Sequence, residues 1–419
     1  MTLPDRKVVA IVYGNRSASV MALSEAASTL CDIIWVVNSK ELSDTTTIRL
    51  LARLGKVVDY SDMSLRETAQ AVGRNRPDGI TAFGDAQIAM ASQWASALEL
   101  DYFDATVADR LLDKSVQRAA LRDAGMMTPQ CVTLSSSQSR EEIEGIVGEI
   151  LYPAILKPRH GAASRETHRV DSAEELRRLV DQVIGEKHES EMVIEEFMVG
   201  STPPPSLYFG DYVSVESAVS SGQISHLAVT GRLPSAKPFR ETGLIIPSDF
   251  APALIDEILK VATQAIKAMG IRSGCLHTEI KVTNEGLRVI EVNGRIGGFV
   301  APVLALASPG LNFFEVALRI ALGEQVTFEA LVTDGRVGYV IVEQPPIGAS
   351  HVVGVTGLDK LASHPSVNSV TLSRRPGDEV NWRLGSHEYV YSVLGAAPDH
   401  DSVRAVQEYI DEFVKISYR

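Results

Sequence analysis

The sequence predicts an α/β protein: a parallel layer, then α+β lobes, then a strand-rich C-terminal segment. Three observations carry this. Over the first hundred residues, short apolar runs alternate with helical spacing. Two chain breaks, at Pro129 and at Gly200 with Pro203–Pro205, enclose a small α/β stretch over 129–197. A strong hairpin pattern follows at 277–295. A chain of 419 residues with 45% hydrophobic and 22% charged residues has ordinary globular composition, long enough for several domains.

The elements follow in order. Val8–Tyr13, Ile33–Val37, Lys56–Tyr60 and Gly79–Phe83 read as strands, with a helix at Val20–Leu30. That rhythm predicts a doubly wound parallel sheet. Gly14 stands alone without a GxGxxG, so a purely structural layer stays open beside a nucleotide-binding one. Asp113–Ala124 reads as a helix, capped by Asp113 and ended by Gly125. Leu151–Lys157 is a strand, Ala173–Ile184 a helix ending at Gly185, and Met192–Phe197 a strand. Strands at Tyr212–Val219 and Ser225–Gly231 precede a long amphipathic helix, Ala251–Met269, stopped by Gly270. Strands Cys275–Lys281 and Leu287–Asn293, a helix at Leu311–Leu322 and a final helix near Asp401–Val414 complete the pattern.

Composition excludes several classes. There are 53 acidic and 40 basic residues, a net charge of −13, which argues against a general nucleic-acid binder. Cys31, Cys131 and Cys275 lie far apart, so neither a disulfide framework nor a zinc site is expected. That usage fits a cytoplasmic location. The apolar run at Val8–Tyr13 lacks a following small-residue cleavage site and reads as a strand, not a leader. No apolar stretch approaches the length of a membrane span.

The stretch HTEIKVTNEGLRVIEVNGR at 277–295 carries most chemistry. A three-residue loop, Asn284–Gly286 with glycine in the left-handed slot, sets Glu279 opposite Glu291 and His277 opposite Asn293. All four share one face of the ribbon, while Leu276, Thr278, Ile280, Ile290 and Val292 cover a core. Opposed carboxylates repel at about 5 Å between Cβ atoms. A divalent cation reverses that, and an all-oxygen set with the Asn293 amide suits Mg²⁺ or Mn²⁺. The alternative is a solvated acidic face. Arg295, among Gly294, Gly297 and Gly298, is either a fork for phosphate or carboxylate oxygens or a surface arginine. Lys157 ends an apolar strand and Lys114 sits in the unfavourable first turn of a helix. An anionic ligand would relieve both; solvated lysines are the plain alternative. The loop RHGAASR at 159–165 has backbone suited to phosphates, though one glycine is a weak signal.

Together these pieces resemble the ATP-grasp superfamily. The match comprises DKSVQR (113–118), ILKP (155–158), VIEEFMVG (193–200) and the EIK…IEVNGR hairpin, in order through roughly residues 75–300. DGITAFGD (78–85) looks like the end of the preceding Rossmann-like domain in carboxylase-type members. DYVSVE (211–216) and FRETG (239–243) look most like the L-amino acid ligases of dipeptide-antibiotic pathways. The resemblance implies a Rossmann-like domain at 1–112, an ATP-grasp region at 113–330 with a lid at 129–197, and a segment at 331–419 completing the large lobe. It implies ATP as cofactor, with Lys114 and Lys157 on its phosphates and Ser164 or a neighbour closing over them. Glu195, Glu196 and the backbone at Phe197 and Met198 would read adenine. Glu279, Glu291 and Asn293 would hold Mg²⁺, and Arg295 would steady the transferring phosphoryl group and the carboxylate. Glu216 and Phe299 would contact the amino-acid substrate, although Phe299 could instead pack beside Val300 and Val303.

The expected activity is ATP-dependent joining of a carboxylate to an amine through an acyl phosphate, releasing ADP and phosphate. The expected partners are a small acid and an amine, free or on a carrier protein, with neither nucleic acid nor membrane, and possibly a second copy of the chain. A biotin-carboxylase-like or purine-pathway enzyme of the same architecture is the rival enzyme. A nucleotide-binding relative without turnover is the rival of another class.

Overall fold

The computed structural model describes residues 6–42, 45–182, 191–206, 208–333 and 335–419. Strands β1 (Lys7–Tyr13), β2 (Cys31–Val37), β3 (Lys56–Asp59) and β4 (Gly79–Ala82) form a parallel sheet in the order β3-β2-β1-β4. Val9, Ile11 and Tyr13 enter one core, Ala10 and Val12 another. Burial on both faces is why this strand is continuously apolar instead of alternating. The first helix, Val20–Ala27, stops short of the expected Leu30. An α-helix at Asp85–Leu98, which the apolar pattern did not single out, puts Asp85 in its first turn directly after β4.

The helix Lys114–Asp123 begins and ends as its sequence predicts. Asp113 accepts from the Ser115 and Val116 amides at 2.9 and 3.3 Å, and Gly125 has φ +75°. Next come β5 (Cys131–Ser135), β6 (Ala154–Pro158), β7 (His168–Val170) and β8 (Glu191–Glu196), an antiparallel sheet ordered β5-β8-β6-β7. Strand β6 starts at Ala154, not Leu151, which is 66% exposed and outside the pairing. The helix Ala173–Val180 forms; its expected end at Ile184 and Gly185 lies outside the described residues.

The largest sheet uses β9 (Tyr212–Ser220), β10 (Gln223–Arg232), β11 (Gly243–Ile246), β12 (Gly274–Thr283), β13 (Gly286–Asn293) and β14 (Val337–Val342). After β15 (Val352–Thr356), the strands β16 (Val367–Leu372) and β17 (Tyr391–Ala397) return to it, and β18 (Lys415–Tyr418) pairs with β15. The order is β13-β12-β9-β10-β11-β14-β17-β16, antiparallel throughout. The helix Pro252–Met269 covers one face: Ile258, Ala262 and Ile266 pack with Val213, Val215, Leu276, Ile280, Val289 and Val292. Alternation therefore turns His277 and Glu279 to the opposite face. No described helix is long and apolar enough to cross a membrane.

The hairpin is corrected in one respect. Thr283 pairs with Gly286, so the loop is the two residues Asn284 and Glu285, and Gly286 belongs to β13. Ile280 pairs with Val289, yet Glu279 pairs with Glu291, because a bulge intervenes at Ile290. The shorter loop shifts the register by one residue and the bulge restores it. Val289, not Ile290, consequently fills the core, where it is 1% exposed.

Candidate active site

Two rows of side chains cross the ribbon. Glu291, Glu279 and Ser214 lie in one; Asn293, His277 and Glu216 lie in the other. Glu279 and Glu291 keep partly accessible carboxylates, while Glu216 is fully buried. Glu216 accepts from Ser214 Oγ at 2.8 Å, Thr230 Oγ1 at 3.0 Å and His277 Nδ1 at 2.9 Å. It touches His277, and through it the Glu279 carboxylate, whose Oε1 lies 3.4 Å from His277 Nε2. Burial disfavours a charged imidazole, but the Glu216 carboxylate outweighs burial and raises the His277 pKa. Glu279 is likewise desolvated, yet His277, Arg232 and Arg295 hold its carboxyl down at about 2. Arg232 reaches Ser214 Oγ and His277 Nε2, each at 2.9 Å, and pairs with Glu241 at 2.7 Å.

Among the described residues no cluster of three or more His, Cys, Asp or Glu could cage a metal. The donors on this face are two carboxylates and the Asn293 amide, whose Nδ2 donates to the His277 carbonyl at 3.3 Å. That set fits Mg²⁺, which takes one or two carboxylates and completes its shell with water and phosphate oxygens. It does not fit zinc.

Cations face these carboxylates from the neighbouring elements. Lys114 Nζ is 2.9 Å from Glu291 Oε1 and donates to the Gly161 carbonyl at 2.6 Å. Lys157, on β6, pairs with Glu195 at 2.6 Å. Glu195 is 2% exposed and also takes two bonds from Arg118, at 2.9 and 3.2 Å. Burial would raise its pKa, but Arg118 and Lys157 prevail and hold it down at about 2. The Glu195 carboxylate is thus turned towards two cations. Glu196 pairs with Arg288 at 3.0 Å, Phe197 lies under the Arg169 guanidinium at 4.7 Å, and Met198 is buried. The Phe197 amide is bonded to the Pro153 carbonyl at 3.1 Å.

The 159–165 loop is held from three sides. Arg159 pairs with Asp113 at 2.6 Å and Glu191 at 3.0 Å. Ser164 Oγ donates to the Phe239 carbonyl at 2.9 Å. The third hold comes from Trp382–Glu388, a 3₁₀ segment kinked at Gly385: Ser386 N donates to the Ala163 carbonyl at 2.9 Å, and Glu166 N to the Arg383 carbonyl at 3.2 Å. Ala163, Ser164 and Glu166 all have positive φ. Such backbone persists only where surroundings over-determine it.

Arg295 is clamped by Asp85, which accepts from Nε and Nη2, both at 2.8 Å. Phe299 caps the helix Val300–Ala307 at φ +60° and meets the Tyr389 ring edge-on at 5.7 Å. It is half-buried, with one side against the core. The structure therefore brings Lys114, Lys157, Glu195, Glu279, Glu291, Asn293 and Arg295 around one cleft. Arg118, Asp85, Arg159, Arg232 and the 382–389 segment were missed as site residues. Arg118 had a signal: four residues after Lys114, it shares that helix face. The others act through long-range pairing.

An ATP-grasp domain model matches residues 150–303. The chain is 24% identical over 383 residues to the uncharacterized protein y4rH of Sinorhizobium fredii, covering 87% of this chain and 70% of that one. It is 25% identical over 250 residues to human carnosine synthase 1, covering 57% of this chain and 27% of that one. The solved L-amino acid ligase from Bacillus licheniformis superposes with a TM-score of 0.77 at 22% identity, covering 99% of both chains. The chain thus has the ATP-grasp fold, with an ATP-grasp domain at residues 150–303.

Proposed function

We propose that this chain is an ATP-dependent carboxylate–amine ligase acting on an amino acid or related small acid. The observation that carries this reading is the convergence of the Glu279–Glu291 pair, Lys114, Lys157 and Arg295 on one cleft. The printed names of two relatives, an L-amino acid ligase and a carnosine synthase, support amide formation.

In this reading a carboxylate oxygen of the acid attacks the γ-phosphoryl group of ATP, and ADP leaves. An amine then displaces phosphate from the acyl phosphate. Glu279, Glu291 and Asn293 would hold Mg²⁺, which supplies charge neutralisation at the phosphates when bound. Lys114 and Lys157 offer ammonium groups to the phosphate chain, and the Arg118–Glu195 pair holds Lys157 in place. Asp85 aims the Arg295 guanidinium at the reacting carboxylate. Such chemistry needs positioning and charge stabilisation more than covalent participation. The small sheet β5–β8 with its 159–165 loop acts as a lid that excludes water.

The test is a screen of paired amino acids for ATP-dependent phosphate release, with mass spectrometry of the products. Amide products dependent on both partners support the reading. Phosphate release that requires bicarbonate and yields no amide overturns it in favour of a carboxylase.

A further inference from the structure

Arg232 is the last residue of β10 and is 2% exposed. Its guanidinium joins two parts of the cleft. Nη2 meets His277 Nε2 and Ser214 Oγ, each at 2.9 Å, and His277 Nε2 lies 3.4 Å from Glu279 Oε1. Nη1 pairs with Glu241 Oε1 at 2.7 Å. One guanidinium and one imidazole therefore separate Glu241 from the carboxylate assigned to the metal.

Glu241 is built differently from the acids around it. Glu216 is fully buried and both its oxygens accept hydrogen bonds. The Glu241 side chain is 37% exposed, and among the described residues its Oε2 makes no hydrogen bond or ion pair. Its backbone, in contrast, is pinned at both ends. The amide donates to Ser386 Oγ at 3.0 Å, and the carbonyl accepts from Gln344 Nε2 at 2.7 Å. Arg240 beside it is buried, and its guanidinium donates to the Lys237 and Pro345 carbonyls, not to Glu241. Ser386 N also bonds the Ala163 carbonyl, and Ser164 Oγ bonds the Phe239 carbonyl. Glu241 thus stands where the 159–165 loop, the 382–388 segment and the acidic ribbon meet. A carboxylate fixed in this way loses little further freedom when it takes a ligand.

The plain role for Glu241 is that of counter-ion to Arg232. The same guanidinium already feels Glu216 and Glu279, so that role does not account for an oxygen left open. An open carboxylate oxygen repels phosphates and the carboxylate of the acid, and attracts a cation. Among substrates that carry a carboxylate for activation, an α-amino acid brings that cation with it.

We propose that Glu241 selects the acid substrate, its open oxygen taking the α-ammonium of the amino acid whose carboxylate is activated. This rests on the ligase reading above. Arg232 and the two backbone bonds hold the Glu241 carboxylate in place, and the amino acid spans from Glu241 towards Arg295 and the acidic ribbon. An acid without the ammonium leaves the Glu241 oxygen unpaired in the closed cleft. A site built to pair a polar group discriminates strongly against the analogue that lacks it.

The test uses the full chain with ATP, Mg²⁺ and hydroxylamine, which traps an acyl phosphate as a hydroxamate. Each of the twenty amino acids is compared with the acid of the same side chain that lacks the ammonium, propionate for alanine being one such pair. No hydroxamate from any acid of either set overturns the ligase reading itself. Hydroxamate formed as readily without the ammonium as with it leaves that reading standing and overturns the ammonium subsite. Wild type should instead favour the amino acid of the best pair at least about a hundredfold in kcat/KM. Glu241→Gln keeps the side-chain volume and removes the charge, and should cut that preference at least about tenfold, through KM for the amino acid. A residue that only steadies Arg232 would, when replaced, slow both acids of the pair in parallel and leave the preference at its wild-type value. That outcome overturns the assignment. Glu241→Asp keeps the charge on a shorter arm and should give a preference between those of wild type and Glu241→Gln. Melting temperatures accompany each variant. If Glu241→Gln fails to fold, Glu241→Asp decides: a preference equal to wild type overturns the assignment, and a reduced one supports it.

Discussion

The 277–295 hairpin and the 159–165 loop flank the same cleft but are built by opposite means. The hairpin positions Glu279, Glu291, His277 and Asn293 through pairing within nineteen consecutive residues, across a two-residue turn. The loop takes its shape from Asp113, Glu191, Phe239, Arg383 and Ser386, all distant in sequence. Local pairing sets the acidic face without help from distant residues. A loop with two non-glycine residues at positive φ, and a third just after it at Glu166, depends on its neighbours to stay in place. The difference separates a charge template set by local pairing from a loop whose shape is set by the rest of the chain.

The sharpest test of the locally paired half is Glu291→Gln. It removes one negative charge from the pair while keeping the side-chain volume. ADP formation should fall at least about a hundredfold, as expected for loss of a charged group in the reacting site. The melting temperature should hold within a few degrees, because Glu291 is partly exposed and, among the described residues, its ion pair is with Lys114. Wild-type turnover in this variant would end the metal assignment.

Glu195→Gln probes the support beneath Lys157. Removing one partner of a buried ion pair typically costs about 3–5 kcal/mol. Here Arg118 and Lys157 would both lose their counter-charge. The pH dependence has a definite sign. Glu195 has a folded pKa of about 2, below its ordinary value, so its stabilisation is present above the unfolded pKa. It is lost as pH falls from there through about 2. Wild type should lose stability across that acid window more steeply than the glutamine variant. Identical acid unfolding curves would show that Glu195 is not carrying the charge of the site.

The loop should break from afar. A Cβ at Gly385, where φ is +83°, would collide with the Ala163 carbonyl. Gly385→Ala should therefore raise KM for ATP about tenfold and speed hydrogen exchange over 158–165. Residues 277–293 should be unaffected. Ser386→Ala removes only the hydroxyl contact to the Glu241 amide, worth about 1 kcal/mol, and should do the same more weakly. Equal exchange changes in both regions would erase the distinction drawn between them.

Legibility in the sequence follows the same division. The four parallel strands, the Asp113 cap, the Gly270 stop and the facing of Glu279 on Glu291 rest on signals a few residues apart, and these form. The expected facing forms although a three-residue loop does not: the two-residue turn and the bulge at Ile290 offset each other by one register step. Nothing local distinguishes that pair of features from a three-residue turn. Glu216 enters from the sequence only as a substrate contact that the resemblance implies. Its place behind His277 emerges only when β9 pairs with β12, two strands separated by more than fifty residues. Asp85 had a place in the DGITAFGD stretch, but its partner Arg295 lies 210 residues on. The 382–389 segment carries no pattern at all until the sheet folds it against the loop.

The smallest expected effect concerns Phe299, where the ribbon side of the cleft meets the C-terminal segment. The sequence allows this ring either to wall a pocket or to fill the core. It is half-buried and edge-on to Tyr389, so it does some of each. A fully buried Phe→Ala change costs about 3–5 kcal/mol, and Phe299→Ala should cost less. Coupling between the two rings in a double-mutant cycle should be about 0.5–1.5 kcal/mol, the range for aromatic pairs. If the pair walls the acid pocket, Phe299→Ala should also shift kcat/KM towards bulkier acids. One methylene in such a pocket typically changes discrimination by about 1–3 kcal/mol. Tyr389→Phe keeps the ring contact and should leave both stability and the order of preference unchanged. A full core-sized loss of stability in Phe299→Ala, with the preference order intact, would assign the ring to the core alone. The cleft would then take its selectivity from the charged residues already described, with no aromatic wall between its two halves.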